Sequence, residues 1–183
     1  MTADFLLSLA QAITKGLLTG MVYGLMALGL SVIFGVMRVV NFAHGEMMVV
    51  GMYLAWMGFE YLQVSPMLSL PVIAVIFFGA GYALQRGVIS PFIGRPGHQQ
   101  FLLLLAIAIL LVNVSLVIAG PAARGVQMDS QFDSYELGPF VFDAVRVHAA
   151  LTAVVIAGLL WLFFTRTRTG KSIRAAADNN LGA

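Results

Sequence analysis

Long uncharged apolar runs dominate this chain and limit it to structures that can sit in a lipid bilayer. No charged residue occurs in residues 16–37 or 101–120. A helix needs roughly 20 mostly apolar residues to cross the hydrocarbon core, so each run is long enough. Charged residues make up 10% of the chain, whereas soluble domains carry about 25%. The chain is therefore predicted to be an integral membrane protein.

Three further segments complete a predicted all-α, polytopic helix bundle of about five spans. They are residues 47–59, 66–84 and 148–165. Residues 47–59 give a helix of only ~20 Å, which is short of a ~30 Å core. This second span crosses only if it recruits the polar residues before it, so we predict that it is discontinuous. Ahead of the first span, residues 6–13 are predicted to form a short interfacial helix.

The polar residues at the start of the second span are Asn41, His44 and Glu46. Ionisable groups at membrane depth usually face a bundle interior or a water-filled path, so these residues are predicted to line a substrate pathway. The alternative is a short cytoplasmic turn with solvated side chains. His44 and Glu46 fall on different faces of a helix. Because no partner residues complete a metal site or a catalytic pair, we predict neither a metal site nor an enzyme.

Small and polar residues inside the other spans indicate contacts between helices. Gly16, Gly20 and Gly24 have the four-residue spacing that lets two helix backbones approach in lipid. They are predicted to be helix-packing residues, with general close packing as the alternative to any role in transport. Asn113 and Ser115 are predicted to form hydrogen bonds between helices or to contact substrate.

The distribution of Lys and Arg predicts the orientation of the bundle. With the C-terminal end in the cytoplasm, the inside residues are Arg38, Arg86, Arg95, Arg166, Arg168, Lys171 and Arg174. This positive-inside pattern places the N-terminus outside and makes residues 121–147 an external, acidic segment. Turn residues followed by alternating Val and Phe predict a β-hairpin within 135–147. The basic excess therefore reflects topology, and we predict no nucleic acid partner.

The basic tail contains Gly170-Lys171-Ser172, which matches the end of a phosphate-binding loop. Thr165 stands where that loop needs a glycine, and a membrane helix replaces the required preceding strand. No nucleotide site is predicted. Residues 171–181 are predicted to form a short cytoplasmic helix, because three consecutive alanines favour helix. Such a helix can dock in a groove of a soluble partner, and the alternative is a solvated basic helix beside the membrane.

Two separated motifs together resemble one family of membrane proteins. Residues 16–53, with NFAHGE at 41–46, are similar to the opening of the LivH-type permeases of branched-chain amino acid ABC transporters. Residues 167–183, TRTGKSIRAAADNNLGA, are similar to the cytoplasmic coupling segment of that family. The resemblance covers essentially the whole chain. It implies one transmembrane permease domain over 1–183 and a coupling segment over 166–183.

The resemblance also implies partners and a substrate. The chain would be an inner-membrane importer subunit that works with a homologous permease, cytoplasmic ATPase subunits and a periplasmic binding protein that faces the external segment. ATP would bind to the ATPase subunits, and this chain would hold no cofactor. The residues implied for ATPase coupling are Gly170, Lys171, Arg174, Ala175 and Asp178.

The expected substrate is a branched-chain or related amino acid. The alternative function is an ATP-independent channel or secondary carrier for small polar solutes such as urea or amides. Family members continue past the coupling segment for several spans, so we expect this chain to be incomplete at its C-terminal end.

Overall fold

The computed structural model describes residues 2–37, 40–92, 94–127, 133–138 and 140–178. The helices are α1 (Thr2–Met37), α2 (His44–Leu62), α3 (Pro66–Leu84), α4 (Gly97–Ala119), α5 (Ala144–Arg166) and α6 (Arg168–Asp178). The strands are β1 (Ser134–Leu137) and β2 (Phe140–Asp143). The predicted all-α bundle is confirmed, whereas Arg38 and parts of the predicted external and coupling segments lie outside the described residues.

Four helical segments of the described chain are long and apolar enough to cross a membrane. They are Asp4–Gly35, Pro66–Phe92, Gly97–Ala119 and Ala144–Arg166. Many of their large apolar side chains are exposed, including Phe78 at 79% and Val117 at 85%. Lipid tails are as apolar as these side chains, so such a surface is stable in a bilayer. The chain is a polytopic membrane protein.

Helix boundaries differ from the predicted spans where polar residues join a helix. The predicted interfacial helix and first span form the single helix α1, because neither glycine nor proline interrupts residues 2–15. α2 starts at His44, three residues before the predicted span. α3 begins at Pro66 as predicted, and Ser65 caps it by accepting a hydrogen bond from the Leu68 N–H at 3.4 Å. Proline is tolerated there because a first-turn N–H has no partner within the helix.

The chain forms two units, of which Val39–Val126 is one. Within it α2 and α3 run antiparallel, so Gly51 faces the Phe77 ring and Gly58 faces Ser69. α3 continues through a π-helical turn, Gln85–Ile89, and a 3₁₀ turn, Ser90–Phe92. The core of this unit lies between the start of α2, the π-helical turn and α4.

The other unit comprises Met1–Arg38 and Gln127–Ala183. In it α1 packs along α5, and α6 folds back against both helices. The predicted hairpin is present: β1 and β2 pair antiparallel, with Tyr135 opposite Phe142. The turn contains Gly138 at a φ of 62°, a conformation that favours glycine. Gln11 of α1 donates a hydrogen bond from Nε2 to the Val141 carbonyl at 3.5 Å.

Candidate functional site

Asn41 shapes the turn that leads into α2. Its side-chain Oδ1 accepts a hydrogen bond from the backbone N–H of Ala43 at 3.1 Å. Its carbonyl oxygen accepts a second bond from the N–H of His44, also at 3.1 Å. Asparagine commonly stabilises turns in this way, by bonding the backbone two residues on. The side-chain oxygen of this predicted pathway residue is therefore already used within the protein.

Ala43 anchors this turn to the core of its unit. It is completely buried and packs against Leu104, Ile107 and Ala108 of α4. Partly buried Val88 and Ile89 of the π-helical turn pack against the same cluster, as do the side chains Met47, Leu84, Leu103 and Leu111. A side chain larger than a methyl group would not fit without displacing these neighbours. The turn before α2 is thus held by close packing as well as by hydrogen bonds.

Two aromatic contacts connect α2 and the turn before it to the region of α4. Next to Ala43, the Phe42 ring meets the Phe101 ring edge to face, with centroids 4.8 Å apart. Further along α2, the Trp56 ring lies under the Arg124 guanidinium, 5.2 Å from its centroid. Arg124 also donates from Nε to the carbonyl of Ala119 at the end of α4, at 3.3 Å. α2 therefore extends in the same direction as α4.

His44 and Glu46 both lie in the first turn of α2 and are half-buried. An acidic side chain is favourable there because the helix dipole is positive at its N-terminal end. The structure brings Asn41, His44 and Glu46 together at one helix start, and their role in a pathway stays a prediction. Within the described residues, no group of three or more His, Cys, Asp or Glu side chains is placed to hold a metal ion.

Other predicted packing residues have mixed outcomes. A Cβ added at Gly16, Gly20 or Gly24 would meet no atom within 4 Å among the described residues, so helix packing at these glycines stays a prediction. Asn113 donates from Nδ2 to the carbonyl of Ile109 at 2.7 Å. Because Ile109 is one turn back on the same helix, this bond lies within α4 and does not link two helices.

The predicted coupling residues divide between two faces of α6. Arg168, Lys171 and Ala175 are exposed, and their spacing places them along one side of the helix. These three residues form the exposed stripe of α6. On the opposite face Gly170 is buried, while Ile173 and Ala177 line an apolar groove of about 500 Å³ with α1 and α5. Asp178 is the last residue of α6.

Arg174 and Gly170 both contact the end of α5. Arg174 donates from Nη2 to the Phe164 carbonyl at 2.7 Å. A Cβ at Gly170 would lie 2.7 Å from the Cα of Phe164 and would collide with the Phe163 carbonyl. Gly170 is thus buried against α5, Arg174 bonds to α5 while remaining exposed, and Lys171 and Ala175 belong to the exposed stripe.

Sequence reasoning missed Phe42, Ala43 and Thr167. Phe42 and Ala43 stand inside the NFAHGE motif, but an apolar residue beside polar ones gives no separate signal. Thr167 lies between α5 and α6 and bonds to both helices. A threonine immediately before a helix is a known cap signal that could have identified it.

Comparison with known proteins identifies the chain. The family model described as "Branched-chain amino acid transport system / permease component" matches residues 12–183. The chain belongs to this permease family. The matched range includes both NFAHGE and the junction of α5 with α6, so every predicted site residue of this chain lies within the family region. No solved structure matches the chain.

Individual relatives in bacteria and archaea agree with the family. The chain is 25% identical to the high-affinity branched-chain amino acid transport system permease protein BraD of Pseudomonas aeruginosa, over 92% of this chain and 59% of that protein. It is 26% identical to LivH of Salmonella typhimurium, over 98% of this chain and 62% of that protein. A probable LivH of Methanocaldococcus jannaschii is 26% identical over 85% of this chain and 50% of its own length. The chain thus spans about three fifths of the length of the first two relatives.

Proposed function

We propose that this chain is a permease subunit of an ATP-driven importer of branched-chain or related amino acids in a bacterial inner membrane. The observation that carries the proposal is the family match over residues 12–183, which includes the helix α6 and its junction with α5. The chain conducts its substrate and performs no chemistry, and separate ATPase subunits bind the ATP. A homologous permease and a periplasmic binding protein complete the transporter. The family match disfavours the ATP-independent channel or carrier.

α2 is the second of five crossings in this proposal. It has 19 residues and is about 28 Å long at ~1.5 Å per residue, close to the ~30 Å core. It runs in the same direction as α4, which has 23 residues and is apolar enough to span: Phe42 before α2 contacts Phe101 near the start of α4, and Trp56 contacts Arg124 just after its end. In this proposal the second crossing is discontinuous, because it includes the polar turn that precedes α2. Asn41, His44 and Glu46 then stand where the substrate pathway reaches the cytoplasmic side.

The orientation of the five proposed crossings assigns a partner to each side of the membrane. With the N-terminus outside, the hairpin of β1 and β2 faces the binding protein and α6 faces the ATPase. The exposed stripe of α6 carries Arg168 and Lys171, which attract an acidic groove on the partner. Docking through the exposed stripe leaves the opposite face of α6 in contact with α1 and α5.

Co-purification of the ATPase subunit from membranes tests this function. Lys171→Glu reverses one charge in the exposed stripe and is expected to remove most of the co-purifying ATPase. Arg146→Glu makes the same charge change near the external end of α5, where Arg146 pairs with Asp143 at 3.5 Å, and is expected to have no effect. Absence of ATPase from the unmodified permease, or equal loss in both variants, would contradict the proposal. Uptake without ATP would favour the channel or carrier.

A further inference from the structure

The junction between α5 and α6 is a single residue. α5 ends at Arg166, α6 starts at Arg168, and Thr167 between them has an extended backbone with φ −87° and ψ 151°. An interrupted helix leaves the carbonyl groups of its last turn without the N–H partners that a continuing helix would supply. A short connection with unsatisfied carbonyls would bend easily, so the bonds made at this junction decide whether it acts as a hinge.

Thr167 bonds to both helices through one hydroxyl group. Its Oγ1 donates to the Phe163 carbonyl of α5 at 2.7 Å, and its backbone N–H donates to the same carbonyl at 3.1 Å. The hydroxyl oxygen accepts a bond from the Gly170 N–H in the first turn of α6 at 3.0 Å. Thr167 therefore satisfies the Phe163 carbonyl in the last turn of α5 and caps the start of α6 at the same time.

Gly170 and Arg174 add two contacts along α6. The backbone of α6 at Gly170 touches the backbone of α5 so closely that a Cβ would lie 2.9 Å from the carbonyl carbon of Phe163. One turn further on, the Arg174 guanidinium bonds to the Phe164 carbonyl at 2.7 Å. A bond from a charged donor is stronger than one between neutral groups. Contacts at two successive turns fix the direction of α6 as well as its position.

We propose that Thr167, Gly170 and Arg174 are positioning residues that hold α6 at a fixed angle to α5. The proposal rests on the function proposed above, in which α6 docks on an ATPase subunit. When the ATPase moves the docked helix α6, the rigid junction does not bend. The movement is transmitted to α5, which tilts. The exposed stripe offered to the partner lies on the opposite face from the buried Gly170, so docking leaves the contact of Gly170 with α5 intact. Arg174 is exposed beside the stripe while its guanidinium bonds to α5.

Removal of the Thr167 hydroxyl tests the role of the junction in transport. In the assembled transporter, Thr167→Val is expected to leave ATPase co-purification unchanged and to lower substrate uptake per ATP hydrolysed by about five-fold, the factor that loss of one hydrogen bond commonly produces. Thr167→Ser keeps the hydroxyl and should restore coupling. The matched control is Thr165→Val, which removes a hydroxyl bonded to the Trp161 carbonyl of α5 at 2.7 Å and should couple normally.

A distance measurement tests the same junction without the ATPase. The chain has no cysteine, so spin labels on cysteines introduced at the exposed positions Val155 and Ser172 report only the separation of α5 and α6. A single narrow distance is expected, and it should broaden in Thr167→Val and in Arg174→Gln but not in Thr165→Val. Equal widths in all variants, normal coupling in Thr167→Val, or parallel loss of ATPase binding would overturn the proposal. Failure of the unmodified permease to bind an ATPase would instead refute the proposed function.

Discussion

Replacing Gly170 by alanine should release α6 from α5, and the geometry gives the size of the effect. The added Cβ would lie 2.7 Å and 2.9 Å from backbone carbons of Phe164 and Phe163, whereas carbon atoms pack at about 3.5–4.0 Å. Backbone atoms cannot rotate away, so we expect the upper end of the cost of overpacking, about 3 kcal/mol. Alanine recovers roughly 1 kcal/mol through its higher helix propensity. The net destabilisation of docked α6 is therefore about 2 kcal/mol.

Limited digestion with trypsin measures this change. Trypsin cleaves after Lys and Arg, and Arg168, Lys171 and Arg174 lie in α6. A change of 2 kcal/mol raises the population of undocked helix about 30-fold, and the cleavage rate follows that population when docking is fast.

The control is Gly158→Ala in α5, where an added Cβ meets no atom of the described residues within 4 Å. Its cleavage rate should equal that of the unmodified chain or be lower. Equal cleavage of Gly170→Ala and Gly158→Ala would refute the close approach of α6 to α5.

Two further predictions concern the start of α2. Asn41→Ala removes the acceptor for the Ala43 N–H and should lower the free energy of unfolding by about 1 kcal/mol, whereas Asn41→Asp keeps the acceptor. Thermal unfolding in detergent measures the stability of both variants. Equal stability of the two variants would contradict the hydrogen bond that Asn41 makes in this turn. Single cysteines at Val40 and Tyr61, which are 44% and 71% exposed, should react with an impermeant maleimide from opposite sides of the membrane. Labelling of both from the same side would show that α2 does not cross.

Local signals in the sequence were sufficient for elements that form from their own residues. Pro66 and the preceding Ser65 define the start of α3, and the turn at Gly138 defines the hairpin. The π-helical turn Gln85–Ile89 had no such signal. Its Val88 and Ile89 pack on the cluster around Ala43, which lies far away in sequence. A feature that depends on this distant packing cannot be recognised from local propensity.

The sequence was sufficient to locate the candidate sites along the chain, but the contacts that their residues make became known only from the structure. Gly170 and Arg174 were placed in the coupling segment through family resemblance, and both were expected to serve the partner. Their bonds and contacts with α5 depend on a bend of one residue at Thr167. Sequence spacing gives the faces of a straight helix, and it does not say which face folds back on its neighbour.

Several polar side chains in this chain form hydrogen bonds with the backbone, and the bonding atoms are then already used within the protein. Asn41 bonds the turn before α2, Asn113 bonds its own helix, and Thr167 joins α5 to α6. A helix end leaves backbone groups without partners inside the helix, and the side chains of Asn41 and Thr167 supply partners for such groups. A polar residue within an apolar run is therefore evidence for a pathway only after its bonds to the backbone are known. The position of Asn41 in the sequence indicates a pathway residue. Its side-chain oxygen already bonds the Ala43 N–H, however, which makes Asn41 a weaker pathway candidate.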